Sequence, residues 1–429
     1  MLNTLNAWLN WQEQLHPKAI DLGLERVAHV WSKLRPKGLN CPVITVGGTN
    51  GKGSCVALLG SILQAAGFKV GLYTSPHLIR YNERIVINGI SCDDDVLCAA
   101  FARIEQTRDK VSLTYFEFGT LAALEIFTAA NLDVVILEVG LGGRLDAVNI
   151  IDADAALVTT IDIDHTEWLG SDRDSIAKEK AGIFRASRPA IIGDFNPPAA
   201  LIDAAVAANA QILRAGQDFC FTRDTHEWSW YCHQRGIDQL PFPALQGTRQ
   251  IHNAAAVLMV LDSLTNILPV PETAIYEGLR SVHLPARFQI ISDNVITWIL
   301  DVAHNPQAAY YLAENLANLP YTERTHIIFA CLADKDAANI IRNLAPQINI
   351  WHFASVLGSR ARNWEELATI AKINGINVPI YGHNSVNAAV TAVLHTAQAG
   401  ERVVVSGSFI TVAEALATGL LPIKSQVTM

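Results

Sequence analysis

Charge is sparse in this 429-residue chain: 17% of residues are Asp, Glu, Lys or Arg, against 50% hydrophobic. So apolar a composition supplies buried cores and excludes a disordered or solvating chain. Positive charge is scarcer still, 32 Lys and Arg against 41 Asp and Glu, and the net charge of −9 provides no basic field for nucleic acid or anionic lipid. Any anionic ligand must be held locally. Cysteine pairs are missing: the seven cysteines, at 41, 55, 92, 98, 220, 232 and 331, include no CxxC, and an odd, scattered set fits reduced thiols in a cytoplasmic protein. Long hydrophobic runs are missing too, since the stretch 254–261 is cut by Asp262 well short of the ~20 residues of a membrane span. The opening MLNTLNAWLNWQEQLHP lacks the basic start and apolar run of a secretory signal, and its spacing suits a helix. These absences predict a soluble globular chain with no nucleic-acid or membrane partner.

The length exceeds one typical domain, and the pattern predicts two. Between 42 and 74 an apolar run, a glycine cluster, an amphipathic stretch and a second β-rich run make a βαβ unit. Asn88-Gly89 between β-branched residues signals a hairpin, and Asp93 offers an N-cap to a helix reaching about Arg108. A helix near 117–130 and strands near 133–139 and 155–161 follow, so the expected sheet is mainly parallel and covered on both faces. The aromatic segment 220–245 reads as a small antiparallel excursion decorating this domain. After helices at 249–264 and 271–281, LPARFQ suggests a boundary near 285. Strand-like runs VITWILD, THIIFAC, INIWHFA and RVVVSG then predict a second, doubly wound domain. The fold class is α/β: a P-loop-like domain over 1–285 and a smaller Rossmann-like one over 286–429.

Four segments carry chemistry. GGTNGKGS at 47–54 follows a strand and opens a helix, where backbone N–H groups wrap phosphates and Lys52 would reach the outer ones. Its spacing departs from the standard loop, with three residues between Gly47 and Gly51 and Gly53 before Ser54, and a plain glycine turn is the competing reading. Glu138 ends an apolar strand, as a metal-supporting carboxylate beside such a loop would, ahead of a glycine-rich loop presenting Arg144 and Asp146. TIDIDHTEWLG sets Asp162, Asp164, His165 and Glu167 at another strand end, and KEKAGIF sets Lys178 and Lys180 on a short helix beyond, where an exposed lysine pair is the plain alternative. ILDVAHNP ends a strand at Asp301, carries His304 and Asn305 in a loop, and starts a helix at Pro306, with capping by Asn305 compatible with any binding role.

In order, GTNGKGS, TSPHLIRYNERI, TYFEFGT, EVGLGGRLDAVN, TIDIDHTEWLG, EKAGI, ARFQ and DVAHNP resemble the bacterial folylpolyglutamate synthase/dihydrofolate synthase family of the Mur ligase superfamily, over nearly the whole chain. The resemblance implies an ATP-dependent carboxylate–amine ligase that adds L-glutamate to dihydropteroate and to reduced folates through an acyl phosphate. It assigns Thr49, Asn50, Gly51, Lys52, Gly53, Ser54, Asn253, Arg287 and Asp301 to ATP lying between the domains, and Ser75, Glu138 and His165 to Mg2+. Lys180 matches a lysine that the superfamily carries as a carbamate, and His304 one near the incoming glutamate. Leu24, Glu25, Arg26, Val27, Thr114, Tyr115, Phe116, Glu117, Arg144, Leu145 and Asp146 match the pterin side, and a monomer is expected.

Two positions depart from the family pattern: Ala286 stands where glycine is common, which would stiffen a hinge, and Ile410 where histidine is frequent, so no histidine role carries over there. The alternatives are a monofunctional folylpolyglutamate synthase, a UDP-muramyl peptide ligase and a P-loop kinase or switch. The second needs a nucleotide-sugar domain ahead of the loop, for which the 46 residues before Gly47 are too few. The third needs neither AHNP nor the pterin-like segments.

Overall fold

The computed structural model describes residues 2–233, 235–292, 295–356, 358 and 361–422. The chain divides into two compact units, Met1–Ala244 with Ile251–Val282, and Leu245–Gln250 with His283–Met429.

In the first unit the strands are β1 Val43–Gly47, β2 Val70–Tyr73, β3 Ile85–Ile87, β4 Ile90–Ser91, β5 Val134–Glu138, β6 Ala155–Val158, β7 Pro189–Ile192 and β8 Gln211–Arg214. They form one sheet in the order β4-β3-β2-β5-β1-β6-β7-β8, parallel from β2 to β8, with the β3–β4 hairpin antiparallel at one edge. Every residue of β1, β5 and β6 is buried, which is why VITVG, VVILE and AALV read as continuous apolar runs rather than alternating ones. The hairpin turns through Asn88 and Gly89, both at positive φ as a tight two-residue loop requires. Strand β1 lies between β5 and β6, so the carboxyl ends of three strands converge: Val46 is level with Glu138, and Gly47 with Val158. Ligands of open parallel sheets bind at such an edge.

One face is covered by helices Leu5–Leu15, Glu25–Leu34, Asp94–Arg108 and Tyr115–Ala129, whose apolar sides share a core with Val135, Leu137 and Val158. Glu125 is buried in this stack, and its carboxylate is held by Arg35 at 2.6 and 2.8 Å and by Arg103 at 2.7 Å. Two guanidinium groups compensate one buried charge. The helix expected near 117–130 starts earlier, at Tyr115, because Thr114 and Glu117 form a reciprocal capping box. Asp93 occupies the N-cap of its helix, yet its side chain makes no capping bond. The aromatic excursion is an antiparallel sheet of β9 Phe219–Arg223, β10 Trp228–Cys232 and β11 Arg235–Leu240, fixed by Trp230 donating to the Ala255 carbonyl.

The second unit holds β12 Gln289–Ser292, β13 Thr297–Leu300, β14 Thr325–Phe329, β15 Ile350–Ala354, β16 Ile380–His383 and β17 Arg402–Ser406, ordered β12-β13-β17-β14-β15-β16. Only β12 is antiparallel to its neighbour. The sequence marked β13, β14, β15 and β17; β12 and β16 are short edge strands whose residues stay partly exposed, so no buried run announces them. Among the described residues no helix is long and apolar enough to cross a membrane.

Candidate active site

The glycine loop after β1 is tied to the end of β6. Thr49 N–H donates to Thr160 O at 2.7 Å, Thr159 Oγ1 donates to Asn50 O at 2.7 Å, and Thr49 Oγ1 donates to Asp162 O at 3.0 Å. These bonds fix a loop one residue shorter than the standard phosphate loop. Gly48 and Gly51 both have positive φ; a Cβ on Gly48 would lie 1.9 Å from Thr159 Oγ1, and one on Gly51 2.7 Å from Asn253 Oδ1. Glycine is thus required at both positions. Asn253, nearly two hundred residues away in sequence, belongs to the same loop wall, and Cys55 Sγ contacts its carbonyl. Helix Lys52–Ala65 opens directly from the loop, with Ser54 buried in its first turn and no side-chain cap, so its positive dipole end meets the loop.

Lys52 folds back on this loop, its Nζ donating to the carbonyls of Gly48 at 3.0 Å and Thr49 at 3.2 Å. Lys180 comes from the other side, on helix Arg173–Ala181, and donates to the same Gly48 oxygen at 2.9 Å. It is no exposed lysine, being 5% accessible. Burial, with the nearby Lys52 charge, lowers its pKa to about 7, against the pull of Asp164 and Asp146. Lys178 on the same helix is exposed.

Glu138, buried at the end of β5, accepts the backbone N–H of Ser75 at 3.3 Å, so the structure brings these two metal candidates together. His165 stands at positive φ on the turn before the short helix Thr166–Leu169, with Nε2 3.9 Å from Asp164 Oδ2. Among the described residues no three His, Cys, Asp or Glu side chains cluster as a cation site. A serine, one carboxylate and an imidazole are too few for an all-protein cage, but they suit Mg2+, which keeps waters and takes phosphate oxygens.

The pterin-side candidates lie at the starts of helices Glu25–Leu34 and Tyr115–Ala129 and in the loop after β5. Phe116 packs its ring on Gly140, where a Cβ would come within 2.6 Å, and lies 6.0 Å from the Tyr73 ring. Arg26 bridges Asp21 at 2.6 Å and Glu117 at 3.1 Å, while Leu24 precedes its helix as N-cap, Glu25 opens it and Val27 is sealed in the core. Thr114 and Glu117 are committed to capping. Asp146 accepts from Leu141 N–H at 2.7 Å and Val148 N–H at 3.0 Å, which organises the glycine loop; burial pushes its pKa up to about 6. Arg144 pairs with Glu179 at 2.8 Å, ahead of a half-exposed Leu145. Of these, Tyr115 and Phe116 offer ring surface.

Sequence reasoning overlooked His77 and Arg84, although both fall inside TSPHLIRYNERI. Arg84 donates through Nε to His77 Nδ1 at 2.8 Å and lies over the rings of Tyr81 and Tyr115 at 5.3 and 5.6 Å. An arginine conserving so little exposure, 9%, inside a polar-looking segment has no periodic signature that would reveal it.

The second unit gathers its own set. Asp301 accepts Phe288 N–H and Ala303 N–H, both at 2.8 Å, which braces the segment bearing Arg287; desolvation raises its pKa against the Arg287 charge. Arg287 stacks over Phe409 at 5.3 Å, and His304, whose Nδ1 donates to Val302 O at 2.8 Å, has its ring 6.0 Å from the same phenyl group. Asn305 caps helix Pro306–Ala317 through Ala308 N–H at 2.9 Å.

Comparison with known proteins identifies the family. The Mur ligase middle domain model matches residues 46–261, and that of the Mur ligase glutamate ligase domain matches 286–409. The dihydrofolate synthase/folylpolyglutamate synthase of Escherichia coli (strain K12) is 45% identical over 415 residues, covering 96% of this chain and 94% of the relative. The solved E. coli protein in complex with DHPP and ADP superposes with a TM-score of 0.91 at 44% identity, covering 97% of both chains. A bifunctional folylpolyglutamate synthase/dihydrofolate synthase with Mn, AMPPNP and L-glutamate bound gives 0.89 at 42% identity over 98% of both. The chain belongs to the dihydrofolate synthase/folylpolyglutamate synthase family of Mur ligases.

Proposed function

We propose that this chain is an ATP-dependent ligase that joins the amine of L-glutamate to the carboxylate of dihydropteroate, forming dihydrofolate, and to the γ-carboxylate of reduced folates, forming polyglutamates. The observation that carries the reading is the pair of lysines on the Gly48 carbonyl beside Glu138, in a chain whose full-length relatives bear both activities in their names.

A carboxylate is a poor electrophile, so one of its oxygens first takes the γ-phosphoryl group of ATP and the glutamate amine then displaces phosphate. Thr49 and Asn50, whose N–H groups are given to Thr160, would hold the shape of the loop against the nucleotide, the N–H groups of Gly51, Gly53 and Ser54 would cradle the phosphates, and Lys52 would leave its two loop carbonyls to neutralise charge on the transferring group. Ser75, Glu138 and His165 are the residues to hold Mg2+, which supplies charge neutralisation at the phosphate oxygens when bound. Lys180, whose pKa burial lowers to about 7, is the amine able to take up CO2 as a carbamate with release of a proton. Such a carbamate would turn a cation beside Lys52 into an anion. Phe116 and Tyr115 would give the pterin side its ring surface. Asn253 would approach the nucleotide from the loop wall, and Arg287, Asp301 and His304 would serve nucleotide and glutamate from the second unit. The seven free cysteines support a reducing, cytoplasmic setting, and we expect a monomer.

Product mass tests the reading. With ATP, Mg2+ and L-glutamate, dihydropteroate and tetrahydrofolate should each gain a glutamate residue, with ADP released only when both acceptor and glutamate are present. Extension of tetrahydrofolate alone would leave the monofunctional enzyme, and ADP release without either substrate would discard ligation.

A further inference from the structure

A reduced folate that already carries glutamate brings two carboxylates, one to be activated and a spare α-carboxylate; dihydropteroate brings only the one that reacts. An enzyme that extends folates needs a cation for the spare charge. Most cations around the acceptor side are already committed: Arg26 to Asp21 and Glu117, Arg80 to Asp94, Arg103 to Glu125, Arg144 to Glu179. Arg84 differs. It is nine-tenths buried, and its side chain's one hydrogen bond among the described residues is the Nε–H given to His77 Nδ1. Among the described residues it forms no ion pair, and no hydrogen bond uses its two terminal nitrogens. Glu13, whose charge reaches Tyr115, is exposed on helix Leu5–Leu15 and does not pair with it.

A buried cation without an anion is costly, and cation–π contact recovers only part of that cost. The geometry nevertheless holds it in place. His77 accepts the Nε–H and fixes the guanidinium plane, and the Tyr81 and Tyr115 rings, 5.7 Å apart and perpendicular, wall it in. The backbone of Arg84 is bonded to Thr74 N–H, next to Ser75, and Tyr115 adjoins Phe116, so the recess borders both the metal candidates and the pterin candidates. The edge between the two terminal nitrogens of this planar fork is matched to a carboxylate.

We propose that Arg84, oriented by His77, is the subsite for the α-carboxylate of the glutamate already present on a folate acceptor, and so a specificity residue for chain extension as opposed to the first ligation. This rests on the ligase reading above, so the test includes binding, which does not depend on turnover. Three acceptors are compared: tetrahydrofolate, its analogue with 4-aminobutyrate in place of glutamate, which keeps the γ-carboxylate and lacks the α one, and dihydropteroate. The wild type should bind tetrahydrofolate ~10-fold or more tighter than the analogue, as expected for a charged hydrogen-bonded pair. Arg84→Gln should abolish that preference and raise KM for tetrahydrofolate, leaving KM for dihydropteroate and affinity for the analogue within about twofold of wild type. Arg84→Lys should keep part of the preference, retaining charge without the fork. Equal affinity of the wild type for tetrahydrofolate and the analogue overturns the assignment with no variant needed, whatever the folding of Arg84→Gln. Parallel losses on all three acceptors in a folded Arg84→Gln overturn it too, in favour of a packing role. Failure of the wild type to ligate any acceptor would instead strike the ligase reading, while the binding ratio still decides the subsite.

Discussion

Lys52 and Lys180 direct their ammonium groups at one oxygen: the Gly48 carbonyl lies 3.0 Å from Lys52 Nζ and 2.9 Å from Lys180 Nζ. Two like charges this close are tolerated because one is partly discharged. Burial lowers the Lys180 pKa to about 7 from 10.5, so between these values the unfolded chain binds the extra proton and stability rises with pH. Below about 7 the folded protein carries a buried charge at this position. Lys180→Met removes it. The variant should melt above the wild type at pH ~6, by ~2–4 °C for each kcal/mol recovered, with the advantage fading as pH climbs toward 10. Calorimetry in CO2-free buffers reads this directly, and a constant difference across the range would contradict the shifted lysine.

Lys52 has a different task. Its bonds to Gly48 and Thr49 hold it over the loop, not within the core. Lys52→Ala should therefore leave the melting temperature nearly unchanged while lowering kcat ~100-fold or more, the loss expected when one donor to a developing anion is removed. Wild-type turnover in the folded variant would remove Lys52 from the chemistry.

The parallel sheet, the hairpin and the glycine loop were legible because each depends on a local signal: buried apolar runs at β1, β5 and β6, Asn88-Gly89, and glycines ahead of a helix. The burial of Lys180 was not, because KEKAGIF looks the same whether its helix faces solvent or the loop; only the approach of Gly143 to the Glu179 and Lys180 carbonyls, 2.8 Å from a notional Cβ, shows the helix clamped inward. Thr114, Glu117 and Asp146 were visible as polar residues in the right segments, but their commitment to backbone N–H groups needs the folded chain. Arg84 escaped notice because its isolation is a property of its surroundings, not of its neighbours in sequence.

Ala286 shows the family departure in physical form. Its φ is +59°, as is natural for glycine, and its methyl group is almost fully buried. The segment is braced by Ala286 N–H to Gln289 Oε1 at 3.0 Å and Val302 N–H to Ala286 O at 3.1 Å, so the left-handed conformation persists in spite of the side chain. Left-handed backbone costs a non-glycine residue roughly 1 kcal/mol, part of which glycine returns as unfolded-state entropy. Ala286→Gly should consequently be neutral or stabilising by up to about 1 kcal/mol in denaturant titration, unlike most buried Ala→Gly changes. A clear destabilisation would mean that the lost methyl packing outweighs the strain.

In the second unit three imidazoles form a chain across adjacent strands. His326 Nε2 lies 3.0 Å from Glu401 Oε2, His326 Nδ1 lies 3.2 Å from His352 Nε2, and His352 Nδ1 lies 3.1 Å from His383 Nε2. Glu401 also accepts Gln398 N–H at 2.8 Å and faces Arg324 at 3.5 Å, while Tyr381 stacks on His352 with ring centroids 5.2 Å apart. Helix Val386–Thr396 packs over these strands. One set of neutral tautomers satisfies the whole chain: each Nε2–H donates toward Glu401 and each Nδ1 accepts. A second proton on His352 would put two donors face to face, and burial with two imidazole neighbours accordingly lowers its pKa to about 3. The unfolded chain takes up that proton near 6.5, so stability contributed here is complete above about 6.5 and is lost progressively as pH falls toward 3. His352→Phe keeps a flat ring between the neighbours but cannot titrate. It should be less stable than the wild type at neutral pH, because His326 and His383 each lose a partner, yet show a shallower loss of melting temperature from pH ~6.5 to ~4. Hydrogen exchange should locate the acid-induced opening at β15, β16 and the helix over them. An unchanged acid slope in His352→Phe would show that carboxylates elsewhere, not this imidazole chain, set the acid limit of the unit.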